Sequence, residues 1–182
     1  MANPIHTIGH STRSVDAVVA LLRSAAIDLL VDVRSFPRSR RNPQFNIETF
    51  PPVLEAAGIG YRHAAALGGR RPASLPPERS PNAGWREPGF RNYADYALGP
   101  AFRAGLEELL ADARTQRPAI MCAEAVWWQC HRRIITDYLL VCGVGVRHIM
   151  DMGKTDDAHL TQCAAPQADG SVHYPPAQAA LL

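Results

Sequence analysis

No run of apolar residues in the sequence approaches the length of a membrane span, and the opening Met1-Ala-Asn-Pro-Ile-His6 lacks the basic stretch followed by an apolar one that marks an export leader. The expectation is a cytoplasmic protein with no membrane partner. Cysteine is sparse: the four, at 122, 130, 142 and 163, include no C-x2-C pair, which removes the usual zinc-knuckle pattern. A chain of 182 residues with 47% hydrophobic content also needs no disulfide staples to hold a core, so reduced thiols are the simple reading. Net charge is small as well. Nineteen Lys and Arg against 17 Asp and Glu leave a formal +2, too little for a generally basic coat on nucleic acid, while a local basic cleft remains open. No internal repeat is present, and the length suits one domain.

What the chain does have is a rhythm of short apolar runs and amphipathic stretches. Ile5 to Gly9 reads as a strand that ends in Gly9-His10-Ser11-Thr12, and Ser14 is placed to cap a helix with Val15, Val18, Val19 and Leu22 on one face. Leu29-Leu30-Val31-Asp32-Val33 is apolar almost throughout, as a parallel strand covered on both faces should be. Together they form a first βαβ unit. A turn-rich segment with Arg34, Arg38, Arg40 and Arg41 follows; Asn46 then caps a predicted short helix to about Ala57, stopped by Gly58, and Tyr61 to Ala64 gives a third strand. Residues 65–92, with Gly68-Gly69 and no period, read as a long loop or lid, docked by Trp85 and Phe90.

The second half continues the alternation. A helix is expected from Tyr93 to about Ala113, interrupted near Gly99-Pro100, then a strand at Ala119 to Cys122, a helix to Val141 closed by Gly143, and a strand at Val146 to Met150. A hairpin over residues 158–174, turning at Asp169-Gly170, and a frayed tail over 175–182 complete the chain. The predicted fold is a single α/β domain with a mostly parallel central sheet of about five strands, helices on both faces and a C-terminal hairpin.

The chemistry concentrates in residues 118 to 133, where Cys122, Glu124, Trp127, Trp128, Cys130, His131, Arg132 and Arg133 fall in one strand-to-helix turn. Unpaired N–H groups at a helix start favour anions, so Arg132 and Arg133 stand in an unfavourable place unless a bound anion or a carboxylate such as Glu124 relieves them. The same dipole and the basic neighbours would stabilise a Cys130 thiolate. Cys122, ending an apolar strand, reads as a small buried hydrophobe. A metal site from Cys122, Cys130, His131 and His10 is conceivable, but C-x7-C-H matches no common zinc spacing, and no metal is assigned. No cofactor is named by any motif.

In open parallel sheets ligands bind beyond the carboxyl ends of the strands. Those ends carry His10 and Ser11, Asp32 and Arg34, and the 122–132 cluster, and His63 with Gly68-Gly69-Arg70-Arg71 comes soon after the third strand, which predicts a polar, basic cleft. Asp32 within an apolar strand must be paired, and Arg34 shares its face. The leading expectation is an enzyme acting on a phosphate-bearing small molecule or nucleic acid. In it Arg34, Arg38 and Arg132 hold the anion with Ser11, Cys130 is the nucleophile, Glu124, His10 and His131 serve as acid and base, and Trp127 stacks on a base or sugar. The alternative is a non-catalytic nucleotide or nucleic-acid binding module. Neither substrate nor oligomeric state is fixed by these residues.

Several spaced motifs carry a resemblance. Thr7-Ile-Gly-His10-Ser11, Val31-Asp32-Val33-Arg34 with Pro37 and Arg38, Gly58-Ile-Gly-Tyr61 leading to Leu67-Gly68-Gly69, Cys122-Ala-Glu124, Cys130-His131-Arg132 and His148-Ile149 together resemble the domain of unknown function 488 family, from about residue 5 to 174. The resemblance implies little about activity, since that family is named for having none assigned. Ala125-Val126-Trp127-Trp128 departs from the polar, acidic, proline-containing segment expected there. Val31 to Arg34 also looks like the first signature of rhodanese and phosphatase-like domains, although neither cysteine has their short spacing to an arginine.

Overall fold

The computed structural model describes residues 3–177, so residues 178–182 of the expected tail lie outside the described residues. Strand β1 (Ile5–Gly9) leads through Ser14, whose hydroxyl accepts from the Ala17 N–H, into helix α1 (Val15–Ser24). Strand β2 (Leu29–Asp32) follows, and every one of its residues is buried. Helix α2 (Phe50–Ala56) starts after Thr49 rather than at Asn46. The Asn46 side chain instead accepts from the Ser39 N–H and closes the preceding arginine-rich loop, so its capping ability is used on a turn. Gly58, at φ +76°, ends that helix in the left-handed conformation. Strand β3 (Gly60–His63) completes this half.

The loop after β3 is shorter than its composition suggests. Single 3₁₀ turns form at Ala65–Leu67 and Pro77–Arg79, and a helix α3 (Pro88–Ala97) begins inside the expected loop, its proline in the first turn where no backbone donor is needed. Trp85 stacks on Phe90 at 4.8 Å and tilts against Tyr174 at 5.2 Å, so the loop docks as expected. Pro100 opens helix α4 (Pro100–Thr115), which makes the Gly99-Pro100 interruption a full break between two helices. Strand β4 (Pro118–Cys122), helix α5 (Arg132–Val141) and strand β5 (Val146–Asp151) follow, with Gly143 at φ +76° closing α5.

Two differences appear near the end. A further strand β6 (Lys154–Asp157), exposed throughout, pairs antiparallel with β5. Its lack of apolar alternation left no periodic signal. The terminal hairpin is present, with its turn at Gly170, but its arms are β7 (Ala165–Pro166) and β8 (Val172–His173), and residues 158–164 stay outside them.

The main sheet has six strands in the order β3-β2-β4-β1-β5-β6, parallel except for β6. Alternation along each strand sorts side chains to the two faces. Leu30, Ala119, Met121 and Ile8 face α1 and α2, whereas Val31, Ile120, Cys122 and Ile5 face α3, α4 and α5. A chain that returns from edge strand β3 to insert β4 between β2 and β1 leaves a crevice beyond the carboxyl ends of those three strands. Among the described residues no helix is long and apolar enough to cross a membrane.

Two histidines are buried in this sheet without full pairing. His6 and His148 are 4% and 1% exposed, and His6 Nδ1 and His148 Nε2 have no partner among the described residues. Burial first, then Arg147 and Arg117 for His6 and Arg132 for His148, lowers each to about 4. The unfolded chain therefore binds more protons below about pH 6.5, and stability falls as pH drops from there towards 4. A shift of that size corresponds to about 3 kcal/mol for each histidine, which is large against a typical total of about 5–15 kcal/mol. Urea unfolding at pH 7, 5.5 and 4 should show this loss, and His148→Gln should make the slope shallower by up to about 1.4 kcal/mol per pH unit.

Candidate functional site

The loops that leave β1, β2 and β4 are tied to one another by their backbones. His10 N donates to Cys122 O, Ser11 N to Ala123 O and Val33 N to Met121 O, each at 3.0 Å. Gly9 allows this approach: a Cβ on it would lie 1.8 Å from the Glu124 carbonyl oxygen. That oxygen accepts from Arg132 Nη2 at 2.6 Å. Arg132, 1% exposed, also directs Nε at the Cys130 sulfur, 3.3 Å away. The misplaced charge at the start of α5 is thus relieved by a backbone carbonyl and a thiol, and the Glu124 carboxylate, expected in that role, stays exposed at the cleft.

Asp32 and Arg34 form the expected buried pair. Arg34 Nη2 donates to Asp32 Oδ2 at 2.6 Å, Nε to Oδ1 at 2.9 Å, and the Tyr61 hydroxyl donates to Oδ2 at 2.8 Å. Arg34 Nη2 also reaches Phe45 O at 2.7 Å, which leaves Nη1 towards His10 Nε2, 3.4 Å away. His10 Nδ1 lies 2.8 Å from Ser11 O, and a carbonyl only accepts, so Nδ1 carries the hydrogen and the Nε2 lone pair faces Arg34. Burial, with the charge of Arg34, pushes His10 down to about 4. Its ring stacks on Phe45 at 4.3 Å. These contacts make His10 a support for Arg34.

His131 is fixed from three sides. Nε2 lies 3.0 Å from Val33 O, so Nε2 donates there and Nδ1 alone faces the sulfurs. The Tyr93 ring meets it edge-on at 5.0 Å. Gly69 covers it so closely that a Cβ would come within 2.3 Å of Nδ1. Cys130 Sγ is 3.5 Å from Nδ1 and Cys122 Sγ 3.9 Å. Burial opposes ionisation of Cys130, but a hydrogen bond from Cys122 and the neighbouring His131 and Arg132 outweigh it and hold this thiol well below the usual range. Donating that hydrogen bond, and then burial, pushes Cys122 well up.

These groups line one cleft of about 470 Å³, within the range of small-molecule sites. Its floor is Cys122, Cys130 and His131, and its wall carries His10 and Arg34. At its rim stand Arg38, paired with exposed Glu48, and Arg70, which has no ion pair among the described residues. Glu87, Gly89 and Phe90 bring the start of α3 to the same opening.

Of the residues expected at the site, Cys130, Glu124, His10, His131, Arg34 and Arg38 line the cleft, while Ser11, Arg132 and Trp127 do not. Trp127 stacks on His148 at 4.2 Å and 7°, and the aromatic exposed at the cleft mouth is Phe36, 68% exposed, with Arg70 6.0 Å from its ring centre. Arg70 was expected among the basic residues that follow the third strand, whereas Phe36 was not singled out from the sequence, although it belongs to a segment rich in arginine and proline whose composition already marked a loop.

The family model described as Domain of unknown function DUF488 matches residues 14–139, a span that leaves Gly9-His10-Ser11 and His148 outside it. No curated protein and no solved structure matches the chain. With more than half of its length covered, and with Val31 to Arg34, Gly68-Gly69, Cys122-Ala-Glu124 and Cys130-His131-Arg132 gathered around one cleft, the chain belongs to the DUF488 family.

Proposed function

We propose that the protein is an enzyme acting on a phosphate-bearing substrate, a nucleotide or a nucleic-acid end, held in this cleft. The observation that carries the reading is an arginine rim above a thiol–imidazole floor. Arg70 has its guanidinium free of ion pairs among the described residues, Arg38, exposed and paired with Glu48, lines the same cleft, and Arg34, paired with Asp32, lies in the wall. Guanidinium groups suit the bidentate geometry of phosphate oxygens. The start of α3, a ten-residue helix, adds unpaired N–H groups at the same opening. Phe36 offers an exposed ring on which a base can stack.

The floor supports catalysis over simple binding. A buried thiol whose ionisation is favoured by Cys122, His131 and Arg132 suits reactive-centre chemistry, and a binding module has no use for one. Cys130 and His131 form the reactive centre, and the Glu124 carboxylate, at the cleft and free of ion pairs among the described residues, is the acid or base. Arg132 and His10 are positioning residues, one behind the Cys130 sulfur and the other behind Arg34.

Calorimetry with adenosine 5′-monophosphate and with adenosine tests the phosphate. The monophosphate should bind and the nucleoside should bind at least about tenfold more weakly; Arg70→Ala should cost about 1.4 kcal/mol, or tenfold. Equal binding of both compounds, or no effect of Arg70→Ala, contradicts the reading. The same cleft also predicts a contrast in stability. Asp32→Ala leaves the buried Arg34 charge unpaired and should cost about 3–5 kcal/mol, whereas Arg70→Ala, at an exposed position, should stay within about 0.5 kcal/mol of the unmodified protein in urea unfolding.

A further inference from the structure

We propose that Cys122, Cys130 and His131 form a three-ligand site for a divalent metal of the zinc class, with the fourth coordination position open to the cleft. The site does not depend on the phosphate rim. It gives the Cys130 sulfur the role of a ligand in the reactive centre.

The argument begins with distances. The two sulfurs and Nδ1 all lie within 4.8 Å of one another, with sulfur–nitrogen separations of 3.5 and 3.9 Å. A tetrahedral zinc with bonds of about 2.3 Å to sulfur and about 2.0–2.1 Å to nitrogen sets sulfur and nitrogen about 3.6 Å apart, and two sulfurs about 3.8 Å apart. Both sulfur–nitrogen separations therefore lie within about 0.3 Å of what one tetrahedral ion requires, and the sulfurs lie within 4.8 Å of each other. The donors arise from the end of β4 and from the two residues that lead directly into α5, elements locked together by the backbone bonds between the loops.

A second observation points to a ligand independently. His131 donates Nε2–H to the Val33 carbonyl, which is the outer contact that orients a metal-bound imidazole and raises its donor strength. With Gly69 on one side and Tyr93 at the other the ring cannot turn away, so Nδ1 stays directed at the sulfurs. Arg132 Nε supplies an N–H to the Cys130 sulfur, and such a donor supports an anionic sulfur. Two thiolates and a neutral imidazole carry two negative charges in a place closed to water except at the cleft. A divalent ion with Arg132 beside it more than offsets both and leaves one positive charge, which an anionic oxygen ligand at the open position would balance.

The donor set also selects the metal. Soft thiolates with an imidazole favour zinc-class ions over magnesium or calcium, which take oxygen ligands. Three protein ligands and an open position are the pattern of a catalytic site, where the metal acts as a Lewis acid on a bound oxygen. Glu124 and Gln129 line the cleft beside the floor.

The test is a cobalt(II) titration of the reduced, tag-free full chain. One equivalent should give the sulfur-to-cobalt charge-transfer band and the strong visible bands of tetrahedral coordination, and zinc should bleach both. Cys122→Ser and His131→Gln should each lower affinity by at least about 100-fold, more than loss of an outer contact costs, while Glu124→Gln and Arg70→Ala should leave it unchanged. No charge-transfer band in the reduced wild type, or an undiminished band in both ligand variants, overturns the proposal. Should a ligand variant fail to fold, X-ray absorption of the zinc-loaded wild type decides: two sulfurs per zinc are expected, and none or four overturn it. Nucleotide calorimetry on the metal-stripped chain reads the phosphate rim separately, so failure of one reading is distinguishable from failure of the other.

Discussion

The carboxylate of Asp32 is fully out of water at the end of β2, and the cleft is built on the groups that keep it paired. Arg34 meets it with two nitrogens and Tyr61 with its hydroxyl. Arg34 is itself steadied by the Phe45 carbonyl and by His10, whose ring lies on Phe45. A buried ion pair is a poor source of net stability, because removing two charges from water costs several kcal/mol on each side. Its value here is positional. It fixes the end of β2 and holds Arg34 Nη1 against His10 Nε2 in the cleft wall, in a setting where loss of either partner strands the other.

The segment from Asp32 to Arg34 also holds the floor. Val33, between the ion-paired neighbours, gives its carbonyl to His131, and Arg34 gives its own to His63 Nε2 at 2.8 Å. The end of one strand therefore orients the cleft wall, the His131 imidazole just before α5 and the end of β3. From the other side, β1 contributes Gly9, whose missing side chain lets the loop after β4 come close, and that loop's Glu124 carbonyl takes up Arg132. Wall and floor are coupled through backbone atoms, which explains why the chemistry-bearing residues come from separated parts of the sequence yet meet within a few ångströms.

Periodicity made the framework legible. Continuous apolar runs marked β2 and β4, helical spacing marked α1 and α5, and Gly58 and Gly143 marked the ends of helices, since these signals come from local backbone and burial. The Asp32–Arg34 pair was legible too, because two residues apart on a strand share a face and a buried carboxylate needs a partner. Strand β6 was not, since an exposed edge strand need not alternate. The start of helix α3, before Tyr93, was hidden by the prolines and glycines around it. Trp127 looked like a stacking platform, and it does stack, but on His148 of β5, a partner that only the fold supplies. The Cys122, Cys130 and His131 cluster escaped spacing rules because its donors come from a strand end and a helix start. Familiar zinc spacings describe ligands on one tight turn, whereas these converge because the loop after β4 folds back over the sheet.

The central claim is that substrate phosphate sits over the thiol–imidazole floor, between the arginine rim and the ends of β1, β2 and β4. Backbone amide chemical shifts, followed by NMR while a nucleoside monophosphate is titrated in, test it most directly. The account predicts that the largest changes fall on Ser35, Gly69, Arg70, Ala123, Glu124 and His131, which line one cleft though they lie far apart in sequence. Changes confined to the exposed β6 edge or the β7–β8 hairpin, with those six amides unmoved at saturation, would contradict it.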